Sequence, residues 1–226
     1  MRDGRMIDVP VVHAVTTDKI ILARDFIARA IGVMQALGER GAIHLRSQLI
    51  PSPRLYDIAC RLTSLHADTG CFCVISDRLD IAMTSFAHGA QLNSRSMRVC
   101  DARRAAPKMR IGASVHSVEE AEAAESEGAD WLVAGNVFET PSHPGEPRRE
   151  STFISGIVTH VNIPVIAIGG VKPEHVRSLV DGGAYGVASI RGIWGAKNSE
   201  QAAISYLSSY DGHATTSSRT GVATGH

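Results

Sequence analysis

Two short stretches hold the residue types from which an anion site is built. Ile168-Gly169-Gly170-Val171 and Ser189-Ile190-Arg191-Gly192 each follow an apolar, β-rich run. Glycine has no Cβ, so backbone N–H groups approach an anion closely, and Arg191 offers a forked, permanently charged donor. Either stretch by itself reads as a tight turn. Together they predict a phosphate pocket made by Gly169, Gly170, Arg191 and Gly192. A polar stripe lies elsewhere, in Ile43-His44-Leu45-Arg46-Ser47-Gln48, where period-two geometry sends His44, Arg46 and Gln48 to one side. Arg46 is expected to meet a ligand or an acid, because an uncompensated buried charge is costly. His44 reads equally as a proton shuttle and as a hydrogen-bonded core group.

Four further positions carry weaker signals. Ser76-Asp77-Arg78-Leu79-Asp80 puts a carboxylate at a strand's end, but Asn93 to Met97 supply no second acid, so Asp77 alone makes a poor magnesium site and pairing with an arginine is the plainer expectation. Ser114 can donate to a polar ligand, and His116 either does the same or supports the helix that follows. Asn136 can orient a substrate but cannot exchange a proton near neutral pH. It opens a long, proline-punctuated segment from Gly135 to Gly145, containing Thr140 and His143, that reads as a lid. Cys71 and Cys73 sit two apart in an apolar run and are expected to be reduced, buried small hydrophobes.

These residues need a scaffold that brings strand ends together. Eight β-rich runs recur: 11–16, 42–45, 71–76, 90–92, 110–114, 131–134, 164–168 and 185–190. Segments with helical spacing lie between them, including 24–37, 53–66, 118–127 and 173–181. Ser117 fits a helix N-cap with Glu120 three residues on, and Gly128 ends that helix; Pro173 opens another that Gly182-Gly183 closes. Residues 1–210 give about 26 residues per strand–helix pair, which suits a single (β/α)8 TIM barrel, with a doubly wound open sheet as the competitor. The polar tail, 211–226, is expected to be disordered.

Composition narrows the function classes. Lys plus Arg equals Asp plus Glu at 23 each among 226 residues, and the pI is about 7.2, which supplies no footprint for nucleic acid or an anionic membrane. No apolar run approaches the ~20 residues of a membrane span, and the first ten residues lack a signal-peptide core, so the cytoplasm is the expected compartment. The composition leaves room for a homo-oligomer.

His13-Ala14-Val15-Thr16, Ile43-His44-Leu45-Arg46, Arg78-Leu79-Asp80-Ile81-Ala82, Ile111-Gly112-Ala113-Ser114-Val115-His116-Ser117, Val137-Phe138-Glu139-Thr140 and Ile166-Ala167-Ile168-Gly169-Gly170 together resemble the thiamine phosphate synthase/TenI superfamily, from about Val11 to Trp194. The resemblance implies a (β/α)8 fold and one of two activities. One is a magnesium-dependent transferase joining a pyrimidine diphosphate to a thiazole phosphate; the other is a cofactor-independent tautomerase that aromatises a carboxylated thiazole phosphate. The transferase pattern is incomplete here. Gln48 stands for a lysine, Ser76 for an asparagine, Ser96 near a second metal-binding acid and His143 near a lid lysine. The resemblance to the tautomerase branch, through His44 and Glu139, therefore sets the leading expectation: a metal-free, cofactor-free isomerase acting on a small phosphorylated thiazole. That branch's proton-transfer histidine falls at Asn136, which leaves His44 and His143 as the catalytic candidates. Arg46 would face the substrate carboxylate, and Asp77, Ser114, Asn136 and Thr140 would line the substrate site. The transferase is the second expectation, and a catalytically idle phosphate-binding barrel the third.

Overall fold

Strands buried on both faces are largely apolar, and the eight short runs meet that condition apart from a few interior polar residues such as His13, His44 and Gln91. The structure, a computed structural model, describes residues 9–93, 96–138 and 151–217. In chain order its elements are β1 (Val12–Val15), α1 (Asp18–Ile21), α2 (Phe26–Leu37), β2 (Gly41–Leu45), α3 (Ser52–Ser64), α4 (His66–Thr69), β3 (Phe72–Ser76), α5 (Leu79–Thr84), β4 (Gly89–Leu92), α6 (Val99–Ala105), β5 (Ile111–Val115), α7 (Val118–Glu127), β6 (Trp131–Ala134), α8 (Ser151–Val158), β7 (Val165–Ile168), α9 (Pro173–Asp181), β8 (Gly186–Ser189), α10 (Arg191–Trp194) and α11 (Ser199–Ser217). The strands pair in parallel in sequence order, and β1 closes on β8 with Val12 opposite Val187. This is the (β/α)8 barrel. Every predicted strand is present to within one or two residues at its ends.

Two apolar layers hold it. Outward strand residues such as Val12, Ile43, Ile75 and Leu132 meet the helices, where α2 turns Phe26, Ala30, Val33, Met34 and Leu37 inward at helical spacing. A smaller cluster of Val15, Val74, Trp131, Val133, Ile166 and Ala188 fills the barrel interior. Trp131 fits there because Gly112 leaves it room: a Cβ at Gly112 would lie 2.2 Å from the indole. Burying each fully enclosed Leu or Ile contributes roughly 1.5–3 kcal/mol.

The helix signals act as read, with one refinement. Ser117 Oγ accepts from Glu120 N at 3.1 Å and Gly128 ends α7 in the left-handed region, but the Glu120 carboxylate takes the backbone N–H of His116, not that of Ser117. Cys71 and Cys73 are free and buried, and burial pushes both thiols up, Cys73 to about 12. The last helix crosses the boundary drawn after residue 210 and continues to Ser217; residues 218–226 lie outside the described residues. Among the described residues no helix is long and apolar enough to cross a membrane.

Candidate active site

At the carboxyl ends of the strands a cavity of about 700 Å³ opens, within the range of small-molecule sites. His44, Arg46, Asp77, Ser114, Asn136, Gly169, Gly170, Arg191 and Gly192 all line it. Nine of the eleven site residues expected from the sequence are thus brought to one place. Thr140 and His143 lie outside the described residues.

The β7 and β8 rims carry the glycine turn and Arg191. Gly169 and Gly170 have φ of +105° and +63°, and a Cβ on Gly169 would lie 2.8 Å from Asn136 Cα, so this turn demands glycine twice over. Phe138 N–H donates to Gly169 O and Val137 N–H to Ile168 O, tying the segment after β6 to that turn. Beneath both rims the buried Tyr206 hydroxyl of α11 donates to Val171 O at 2.7 Å and lies 2.9 Å from Ser189 Oγ. Lys172, which the sequence reading did not single out, also lines the cavity. It is exposed, and its Nζ is 3.8 Å from Glu174, an ion pair too loose to neutralise it.

On the β2 to β4 side Arg46 lines the cavity, is exposed at its rim and not buried as expected, and has no carboxylate partner among the described residues. The predicted polar stripe ends with it. Gln48 leaves the cavity, and its backbone N–H meets the Asp18 carboxylate. Among the described residues no arginine pairs with Asp77; Arg78 turns to Asp80, with Nε at 2.8 Å from Oδ1. The Asp77 φ of +63°, in the left-handed region that Asp tolerates, brings its carboxylate to the end of β4. There Asn93 N–H at 3.1 Å, the Asn93 side-chain amide and Ser96 Oγ all donate to it. Ser96 thus occupies the neighbourhood where the resemblance sought a second acid.

Two buried relays reach the cavity from below, and the sequence reading missed their inner members. The Trp131 indole N–H, which can only donate, meets Gln91 Oε1 at 2.9 Å; Gln91 Nε2 then donates to Ser114 Oγ at 3.1 Å, leaving the Ser114 proton for a ligand. On the other side His44 Nε2 lies 2.8 Å from His13 Nδ1, and His13 Nε2 lies 2.7 Å from Pro10 O. Burial holds His13 at about 4 and, with the neighbouring His13 ring, keeps His44 well below the ordinary imidazole range. His116 donates from Nδ1 to Gly135 O at 2.7 Å and faces the same cavity. A polar residue at an interior strand position, such as His13 or Gln91, was the available signal for both relays.

The profile of the family described as Thiamine monophosphate synthase matches residues 12–193. The chain is 37% identical over 171 residues to a thiamine-phosphate synthase of Pyrococcus horikoshii, covering 75% of this chain and 83% of that one. It is 33% identical over 148 residues to a putative thiamine-phosphate synthase 2 of Aquifex aeolicus, covering 66% and 80%. The solved thiamine phosphate pyrophosphorylase from Pyrococcus furiosus superposes with a TM-score of 0.79 at 30% identity, covering 90% of this chain and 96% of that one. These relatives carry the synthase name, which overturns the tautomerase and isomerase expectation; the proton-transfer roles drawn for His44 and His143 were tied to it. The expectation counted the positions where the transferase pattern lacks lysines and left out Lys172, which lines the same cavity as Arg46 and Arg191. The chain belongs to the Thiamine monophosphate synthase family, an enzyme family built on this barrel.

Proposed function

We propose that the chain is a thiamine-phosphate synthase, a transferase that joins a pyrimidine diphosphate to a thiazole phosphate with loss of diphosphate. The observation that carries the reading is that cationic side chains reach one cavity from two parts of its rim, the end of β2 and the ends of β7 and β8, with β1 between them. Arg46 stands on the β2 side near Asp77, and Lys172, Arg191 and the Gly169-Gly170 turn stand on the β7 and β8 side. Two separately phosphorylated substrates need two such anion sites, and the relatives that carry the synthase name favour this use of them over a carboxylate and a phosphate on one thiazole. In this arrangement the β7 and β8 rims hold the thiazole monophosphate, and Arg46 holds the diphosphate end of the pyrimidine. Ser114 and Asn136 orient the rings between them.

The family implies magnesium. Asp77 and Ser96 form an all-oxygen set, and magnesium is commonly held by one or two carboxylates together with substrate phosphate oxygens, so the residues fit that ion in the company of the diphosphate. Bound there, magnesium would neutralise charge on the departing diphosphate. The chain's own residues do the rest: Arg46 adds a fixed positive charge to the leaving group, and the walls hold the thiazole nitrogen toward the pyrimidine methylene carbon.

The test is formation of thiamine phosphate from the two phosphorylated halves with magnesium present and after chelation. Product that requires both halves and the metal supports the reading. Binding of thiazole phosphate with no coupling under any metal condition would refute it and favour the idle phosphate-binding barrel.

A further inference from the structure

The hydrogen-bond sense of the His44–His13 pair follows from its far end. Pro10 O has only lone pairs, so His13 Nε2, 2.7 Å away, must carry a proton. A neutral His13 then has a lone pair on Nδ1, and the contact at 2.8 Å to His44 Nε2 is a bond only if His44 Nε2 carries its proton and donates it. That leaves the lone pair of His44 on Nδ1. Both rings are only 1% exposed. Below His13 lies a small void lined by Val9, Pro10, Phe72, Val74, Arg110 and Trp131, whose one charged member is a cation, so no carboxylate there favours a charged imidazole.

We propose that His13 is a positioning residue: through Pro10 O it locks His44 as a neutral Nε2–H tautomer, so that the cavity floor offers a hydrogen-bond acceptor at His44 and selects a heterocycle bearing an N–H donor. The choice of heterocycle rests on the synthase reading. An aminopyrimidine presents an N–H donor at its exocyclic position, whereas the corresponding oxopyrimidine presents carbonyl lone pairs there, which would oppose the lone pair of Nδ1, and carries its N–H on the ring instead. The complementary group is Ser114, which Trp131 and Gln91 leave as a donor.

Nitrogen-15 NMR of the imidazole rings tests the lock without any substrate. Both rings are expected to be neutral with the proton on Nε2 at pH 6 and above. A proton on His44 Nδ1, or a charged ring at pH 6, would overturn the proposal. The second arm compares 4-amino and 4-oxo pyrimidine diphosphates by Kd. Wild type is expected to prefer the amino compound by about tenfold or more, the discrimination that a mismatched buried polar group typically imposes. His13→Gln, whose amide can donate to Pro10 and accept from His44 at once, should retain the preference; His13→Leu, which can do neither, should bring it toward parity. Equal discrimination in wild type and His13→Leu would overturn the proposal. If the tautomers are as stated but no coupling is ever seen, the synthase reading fails and the lock stands. If coupling occurs with His44 in the other tautomer, the reverse holds.

Discussion

Gly192→Ala is the most informative single perturbation of the anion rim. A Cβ there would sit 2.0 Å from Tyr206 Oη and 2.6 Å from Ser189 Oγ, and Tyr206 is fully buried and bonded to Val171 O, so it cannot swing aside cheaply. Overpacking of this kind costs about 1–3 kcal/mol. Removing the Tyr206 hydroxyl strands a buried carbonyl and costs about 1–3 kcal/mol by itself. In the double variant Gly192→Ala with Tyr206→Phe the nearest phenyl carbon is 3.0 Å from the new methyl, so the worst clash goes while that with Ser189 stays. The two changes should therefore be less than additive by about 1 kcal/mol, the scale at which contacting residues couple. Denaturant unfolding of the four proteins measures that term, and thermal midpoints should move about 2–4 °C per kcal/mol for a chain of this size. Because the same hydroxyl ties Val171 to Ser189, Kd for thiazole phosphate should weaken in Gly192→Ala and partly recover in the double variant. Strict additivity of the stabilities would show that Tyr206 does not brace Gly192, and the account of the β7 and β8 rims as one supported unit would be wrong.

Acid should destabilise the fold through the buried imidazoles. His13 titrates near 4 in the folded chain against about 6.5 when unfolded, so the unfolded state binds more protons between those values; stability is full above about pH 6.5 and falls by about 3 kcal/mol in total from this residue as pH drops toward 4. Denaturant midpoints from pH 7.5 to 4.5 should show a shallower decline in His13→Gln, and an unchanged slope would refute the assignment. Asp77→Ala should lower the coupling rate by about 10²-fold or more while leaving Kd for thiazole phosphate near wild type, because the carboxylate stands on the opposite side of the cavity from the glycine turn; steady-state kinetics and calorimetry separate the two. Lys172→Ala should weaken phosphate-ligand binding severalfold at low salt and much less at high salt, since the ammonium is exposed and screened; titrations at two ionic strengths check it.

Where the sequence was legible, local chemistry and period agreed. Ser117 and Gly128 marked both ends of α7, Pro173 opened α9, and the apolar runs became strands buried on both faces. That the glycine turn and Arg191 would meet at one cavity was readable because they follow consecutive strands of a parallel barrel. Asp77 was only half readable. Its type and strand-end position were visible, but its partners depend on a positive φ and on Asn93 and Ser96, sixteen and nineteen residues away, beyond the end of β4. The exposure of Arg46 was misread because β2 stops at Leu45, one residue short of the period that would have carried the arginine inside.

What could not be read from one strand at a time is the polarity of the cavity floor. His44 as a residue type is compatible with donating, accepting or shuttling a proton; what narrows it to accepting is His13 on β1 and, behind that, the carbonyl of Pro10. Ser114 is equally ambiguous until Trp131 on β6 orients Gln91 on β4. The barrel interior therefore does more than fill space with Val74, Val133 and Ile166. Each ambiguous group at the floor is backed by a neutral buried partner that has only one way to bond, and desolvation keeps that partner from changing its proton count. A site so arranged carries its charge at the rim, on Arg46, Lys172 and Arg191, and its shape and donor–acceptor code in the floor. Substitutions at the rim should therefore move phosphate affinity and salt dependence, whereas substitutions at the floor should move discrimination between heterocycles.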